Sequence, residues 1–108
     1  MAFTCYIQNF QTAAVATGNG TPQNVSGYSR VGFQVKGVTT ATVSFEGTIN
    51  GVDWVALSVV PLAGGAAVTT ATADGIFTAT VSGITSVRAR ISAWTSGTIT
   101  VSGLISEY

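Results

Sequence analysis

Side chains able to carry acid–base or metal chemistry are few in this sequence and poorly placed for it. There is no histidine, and the carboxylates are Glu46, Asp53, Asp74 and Glu107. Nucleophilic catalysis needs a base within hydrogen-bond reach of the nucleophile. Only those carboxylates and Lys36 could serve, and Lys36 ends a strand on its solvent side, where the amine stays protonated. A carboxylate pair could hydrolyse a glycoside, but Asp53 and Asp74 fall in turn sequence, where aspartate bonds nearby backbone amides. Glu46 is an outward strand position, and Glu107 lies next to the C-terminus. Zinc needs a set of Cys and His ligands, and Cys5 is the one cysteine. No ligand spacing marks a calcium loop, and no glycine motif cradles a phosphate. The expectation is a protein without catalytic residues, cofactor or metal. Cys5, alternating with Phe3 and Ile7, reads as a small buried hydrophobe rather than a reactive thiol.

Two constellations suit recognition instead. Arg88, Arg90 and Trp94 share strand parity, opposite Val87, Ala89 and Ile91, and hold half of the basic charge. Arg and Trp are the residue types that most often dominate interfaces, so this face reads as a subunit or partner contact. The plainer alternative is a solvent-facing ladder paired to Glu46 or Asp53 across strands. Trp54 follows the turn Asn50-Gly51-Val52-Asp53. It reads as a plug at the end of the core, with its indole N–H bonded to a loop. If it were exposed, Trp54 with Tyr28 and Asp53 could form a platform for a sugar ring.

The elements that must position these residues are strands. Val31, Phe33 and Val35 alternate with Arg30, Gln34 and Lys36, and Val43, Phe45 and Ile49 with Ser44, Glu46 and Thr48. Val55, Leu57 and Val59 form the next inward set, then Phe77, Ala79 and Val81, then Val87, Ala89 and Ile91, then Ile99 and Val101. This period of two, rich in Val and Thr, marks half-buried strands. Turn signals at Gly37, Asn50-Gly51, Gly64-Gly65, Asp74-Gly75, Gly83 and Gly97 divide them into about eight short strands. The pattern predicts an all-β protein, a single antiparallel β-sandwich spanning residues 1–108. Residues 1–25 read as a first strand followed by an extended arm or loop, since Gly18, Gly20 and Pro22 interrupt regular structure.

Composition bears on partners. Only 7% of residues are charged and the formal net charge is zero, against about a quarter charged in an ordinary domain. Nothing electrostatic calls for nucleic acid or an anionic membrane, and no apolar run reaches the ~20 residues of a spanning helix. A neutral surface does nothing to keep copies apart. The start MAFTCYIQNF lacks the basic and apolar regions of a signal peptide, so synthesis in a cytoplasm is expected. The opening Met1 and the full strand set read as a stand-alone chain.

The order of motifs resembles a group of small tailed-bacteriophage virion proteins. The resemblance runs from about Thr21 to Ser106, through TPQNVSGYSRVGFQVKG, TVSFEGTINGVDWVAL and ADGIFTATVSGITSVRARISAWTSGTITVSG. Its most specific pieces are Phe45–Gly47, Asn50–Trp54, and VRAR followed by SGTITV. It implies a jelly-roll-like sandwich used as a head decoration (cement) protein or as a tail or fibre module. It further implies a homotrimer on the capsid surface with the major capsid protein as partner, and it supplies no catalytic residues. A glycan-binding module for host attachment, built on Trp54, Tyr28 and Asp53, is the alternative from another functional class, and a spacer domain of a fibre is a third.

Overall fold

The computed structural model describes residues 5–107. Phe3, and its place in the alternation with Cys5 and Ile7, lies outside the described residues. The strands are β1 (Cys5–Ala14), β2 (Gln23–Asn24), β3 (Arg30–Thr48), β4 (Val55–Ala56), β5 (Val60–Pro61), β6 (Thr70–Ala71), β7 (Gly75–Thr80) and β8 (Ser86–Ser106). Their pairings are all antiparallel, and no helix occurs among the described residues. The chain is the all-β, sandwich-like antiparallel fold that the alternation predicts.

Two long strands frame it. β3 has 19 residues and β8 has 21, and they pair from Arg30↔Ser106 to Thr48↔Ser86. A straight strand of that length would run about 60 Å, yet the longest dimension of the molecule is 44 Å. The ladder must therefore fold over, and it does so where its register slips between Lys36 and Thr40. Gly37 (φ 88°) and Gly97 (φ 120°) sit at this corner. A Cβ on Gly37 would fall on the Thr98 carbonyl oxygen, and one on Gly97 would lie 2.7 Å from the Gly37 oxygen. These two glycines mark a bend inside a continuous ladder, whereas the sequence pattern reads them as turns between separate strands. The carboxylate of Asp74 holds the corner by accepting the Val38 N–H at 2.8 Å. Hydrogen bonds from the Val38 and Gly37 amides depress its pKa.

Folding at the corner gives two facing layers of one sheet. The first half of β3 pairs with the last part of β8 and continues outward to β1 on one side and to β7 and β5 on the other. The second half of β3 pairs with the first part of β8, flanked by β2, β4 and β6. Val31, Phe33, Val35, Phe77, Ile99 and Val101 point inward from the first layer, and Val43, Phe45, Val87, Ala89 and Ile91 from the second. Phe10, Phe33, Phe45 and Phe77 form a row through the core, with successive ring centroids 4.9, 4.8 and 5.4 Å apart.

Several inward assignments differ from the sequence reading. Ile49 and Val55 are exposed, Leu57 is half-buried, and Val59 is fully buried. β3 ends at Thr48, so Ile49 falls in the turn, and β4 is a two-residue edge strand whose Val55 faces solvent. Cys5 is also exposed, not buried. The alternation in β1 is real but opposite in sense: Cys5 and Ile7 face outward, and the buried pair Phe10 and Gln11 follows a bulge after Asn9. Residues 5–24 lie along β8: after β1, Gly18 bridges Ile91 and Gln23 pairs with Val87. Buried Gln11 fastens this passage, its amide donating to the carbonyls of Ala89 (2.9 Å) and Gly18 (3.1 Å).

Candidate functional site

The charged face is built by register. Glu46 on β3 stands directly opposite Arg88 on β8, and Ser44 opposite Arg90. Glu46 can therefore reach one arginine straight across and the other on the diagonal, the two neighbours that interact on a sheet face. Arg88 Nε donates to Glu46 Oε1 at 2.7 Å, and an Arg90 terminal nitrogen donates to Oε2 at 3.3 Å. Trp54 comes from the opposite side of β3. It precedes β4, which pairs with Glu46 and Gly47, and its ring reaches over to Arg88, whose guanidinium carbon lies 4.2 Å from the ring centroid. Stacking of this kind holds a guanidinium planar and in place. Beyond the pair, the Ser44 and Ser92 hydroxyls share a hydrogen bond at 2.7 Å.

This arrangement corrects two placements. Trp94 does not share the face of Arg88 and Arg90. The pairing steps from Val43↔Ile91 to Thr42↔Ala93, so Ser92 is an extra residue on β8, and such a bulge reverses the side on which later residues point. Trp94 then lies opposite Ala41, packs against the core, and donates its indole N–H to the Gly97 carbonyl at 3.1 Å. Trp54, expected to plug the core, is half-buried and outside the core cluster, and it takes the place beside Arg88. Cross-strand partners of Arg88 could be anticipated from Glu46, but a single-residue bulge leaves no mark in a Thr/Ser/Ala sequence.

The glycan-platform residues are not assembled. Tyr28 packs edge-on against Tyr6 at 5.4 Å and on the core. It makes no ring contact with Trp54 among the described residues. Asp53 is exposed, but its carboxylate accepts the Asn50 side-chain amide at 2.9 Å, while Asn50 Oδ1 accepts the amides of Val52 and Asp53. These bonds make the turn rigid and commit Asp53 to it. The turn projects exposed Ile49 and Val52, with Val55 just beyond it.

The electrostatics of the face follow from its composition. The Glu46 side chain is only 14% exposed. Burial alone would raise its pKa, but hydrogen bonds and charge from Arg88 and Arg90 outweigh this and hold it below the ordinary 4.5. Two arginines against one carboxylate leave one positive charge, and Arg90 Nε is buried without a partner among the described residues. The excess charge, not the inaccessible Nε, is what an incoming carboxylate or carbonyl could meet. A depressed carboxylate stabilises the fold fully above its unfolded pKa, and that contribution disappears as pH falls through the lower folded value. Glu46→Gln should cost about 1–2 kcal/mol at neutral pH, between an exposed and a fully buried pair. Urea midpoints should fall more steeply for the wild type than for Glu46→Gln between about pH 5 and about pH 3. Parallel pH profiles for the two would show that the carboxylate contributes nothing as an ion.

No protein-family model matches the chain, and no curated protein matches it in sequence. Its fold is similar to two solved structures. The SPBc2 prophage-derived protein YomS superposes with a TM-score of 0.88 over 98% of this chain and 96% of its own, at 16% identity. The PBSX exported protein XepA gives a TM-score of 0.93 over 98% of this chain, at 18% identity, and the chain spans 39% of its length. At such identities the likeness is one of fold.

Proposed function

We propose that the chain is a non-enzymatic structural protein of a bacteriophage particle, and more specifically a capsid decoration protein. The observation that carries the proposal is its likeness, over nearly the whole of both chains, to a prophage-derived protein of single-sandwich size. The order of motifs from Thr21 to Ser106 supports the same reading. The protein acts by geometry. Copies, arranged as trimers on the capsid surface, bridge neighbouring major-capsid subunits and add buried apolar area across each seam. Burial contributes about 25 cal/mol per Å² before association costs. Few ions need desolvating when faces this poor in charge meet. Arg88, Arg90 and Trp54 make the polar contact with the partner, since the pair leaves one positive charge for a partner carboxylate.

The test is co-sedimentation of the purified protein with heads of its own phage lacking decoration. Saturable binding is expected, weakened about tenfold or more by Arg88→Ala and by Trp54→Ala, with heads more resistant to heating when decorated. Binding to tails or to host-surface glycan, with none to heads, would replace the capsid assignment by a tail module or an attachment module. The exported neighbour XepA makes an extracellular location the competing outcome.

A further inference from the structure

An uncovered apolar surface lies on the other layer, away from Arg88. One rung crosses all five of its strands in register, and a second crosses four and ends on the turn after β5. One runs Ile7, Leu104, Gly32, Thr78 and Val60, through the pairs Ile7↔Leu104, Gly32↔Leu104, Gly32↔Thr78 and Val60↔Thr78. The next runs Asn9, Ser102, Gln34 and Ile76, and Leu62, whose N–H bonds the Ile76 carbonyl, completes it. On these rungs Ile7 is 72% exposed, Leu62 68%, Val60 49%, Leu104 43% and Ile76 38%. Five large apolar side chains on one outer sheet face are more than the scatter of single exposed residues that monomers tolerate.

The face has a shape as well as a composition. Gly32 stands at its centre, and a Cβ there would meet only Thr78 Cγ2, at 3.9 Å. The missing side chain leaves a groove of about 330 Å³ between a bank of Ile7 and Leu104 and a bank of Ile76 and Leu62. The rungs themselves carry no charge. On β3 the outward positions at either end are Arg30 and Lys36, and each has an acid nearby in the fold: Glu107 follows Ser106, the partner of Arg30, and Lys36 is near enough to Asp74 for its charge to help lower the Asp74 pKa. The face is neutral at both ends, within a chain of zero net charge.

We infer that this face is covered by a second copy of the chain, the ridge of one entering the Gly32 groove of the other. A twofold contact sets the same patch against itself, and this patch is suited to that: apolar banks, a central groove and no net charge to repel its like. The size suits a reversible contact. Four strands at about 4.8 Å spacing by the seven residues Arg30–Lys36, with the two-residue β5 at the edge, give about 20 by 20 Å in projection. That footprint of about 400 Å², before side-chain relief, falls at the small end of specific interfaces, below the ~800 Å² per partner of a stable one. The inference concerns a different layer from the proposed capsid contact and does not depend on it: the trimers of that proposal are an arrangement on the capsid, and the twofold contact is the one made by the free protein in solution.

Sedimentation velocity from about 1 µM to about 1 mM reads association over the relevant range of affinity. The wild type should sediment above the single-chain mass of 10.9 kDa. Leu104→Asp, which sets a charge in the stripe, should weaken the dissociation constant about 30-fold or more. Gly32→Val is the sharper variant: it fills the groove at a strand position that accepts a branched side chain, so the fold keeps its melting temperature while association is lost. Arg88→Ala should leave the mass unchanged. A wild type at single-chain mass throughout would overturn the inference. So would an oligomer that survives both stripe variants, or one that dissociates on Arg88→Ala. Head binding is a separate readout, so failure of the capsid assignment leaves this result intact.

Discussion

Phe45→Ala should lower stability by about 3–5 kcal/mol, the range for removing a buried aromatic. Phe45 is fully buried and touches Phe33 and Phe77, which belong to the facing layer. Its ring therefore joins the two halves of the folded sheet, and neither half can close the gap alone because the corner at Gly37 fixes their separation. A loss of that size is a large share of the roughly 5–15 kcal/mol that holds a domain together. It should lower the melting temperature by about 15–25 °C in a chain of this length. Ile49→Ala is the informative companion. The sequence pattern places Ile49 inward in the same alternation as Phe45, whereas the structure exposes it, so its loss should stay within about 0.5 kcal/mol. Urea denaturation of both variants gives the answer. Similar losses at the two sites would restore the inward position of Ile49, and a small loss at Phe45 would deny the aromatic row its role.

The contrast shows what a sequence of this kind discloses. Inside long strands the period of two is reliable, because one face is buried and every second side chain must be apolar. Val31, Phe33, Val35, Val87, Ala89 and Ile91 are all placed correctly on that ground. It fails where chain ends, edges or bulges break the count. Val55 sits on an edge strand of two residues, and Cys5 alternates correctly but on the outer face. Strand number was legible, but connectivity was not: Gly37 and Gly97 look like turns because positive φ is needed for turns and for bulges alike.

The face of Arg88, Arg90 and Glu46 was half legible for the same reason. Arg88 and Arg90 could be paired with Glu46 from parity, since all three are outward positions on uninterrupted strand. Trp94 could not be excluded, because the bulge that turns it inward consists of Ser92, a residue with no conformational signature. Trp54 could not be included, because it reaches Arg88 from beyond β3, through a turn whose internal hydrogen bonds set its exit direction. Contacts between residues far apart in the chain depend on such directions, which local pattern does not encode. The apolar stripe was hidden differently. Its members, Ile7, Leu62, Ile76 and Leu104, come from three strands and the turn after β5, and each in isolation passes for a core residue.

Gly37→Ala should be among the most damaging single-methyl additions in the chain, costing about 3 kcal/mol or more. Two effects combine. An alanine at φ 88° is held in a left-handed conformation, a cost of about 1–2 kcal/mol, and its methyl group falls on the Thr98 carbonyl of the paired strand. Relieving that contact means parting β3 from β8 at the one place where both strands turn, and the Val38 amide held by Asp74 would move with them. Gly51→Ala separates the two effects. Gly51 has a similar φ of 78° in the turn after β3 but nothing within 4 Å of an added Cβ. Its alanine should therefore cost only the conformational part, about 1–2 kcal/mol. Chemical denaturation measures the difference directly. A Gly37 variant clearly less stable than the Gly51 variant locates the extra loss in the steric closure of the corner. Equal losses would mean that the ladder opens there without resistance, and the bend would then be a passive consequence of strand length rather than the element that brings the two layers face to face.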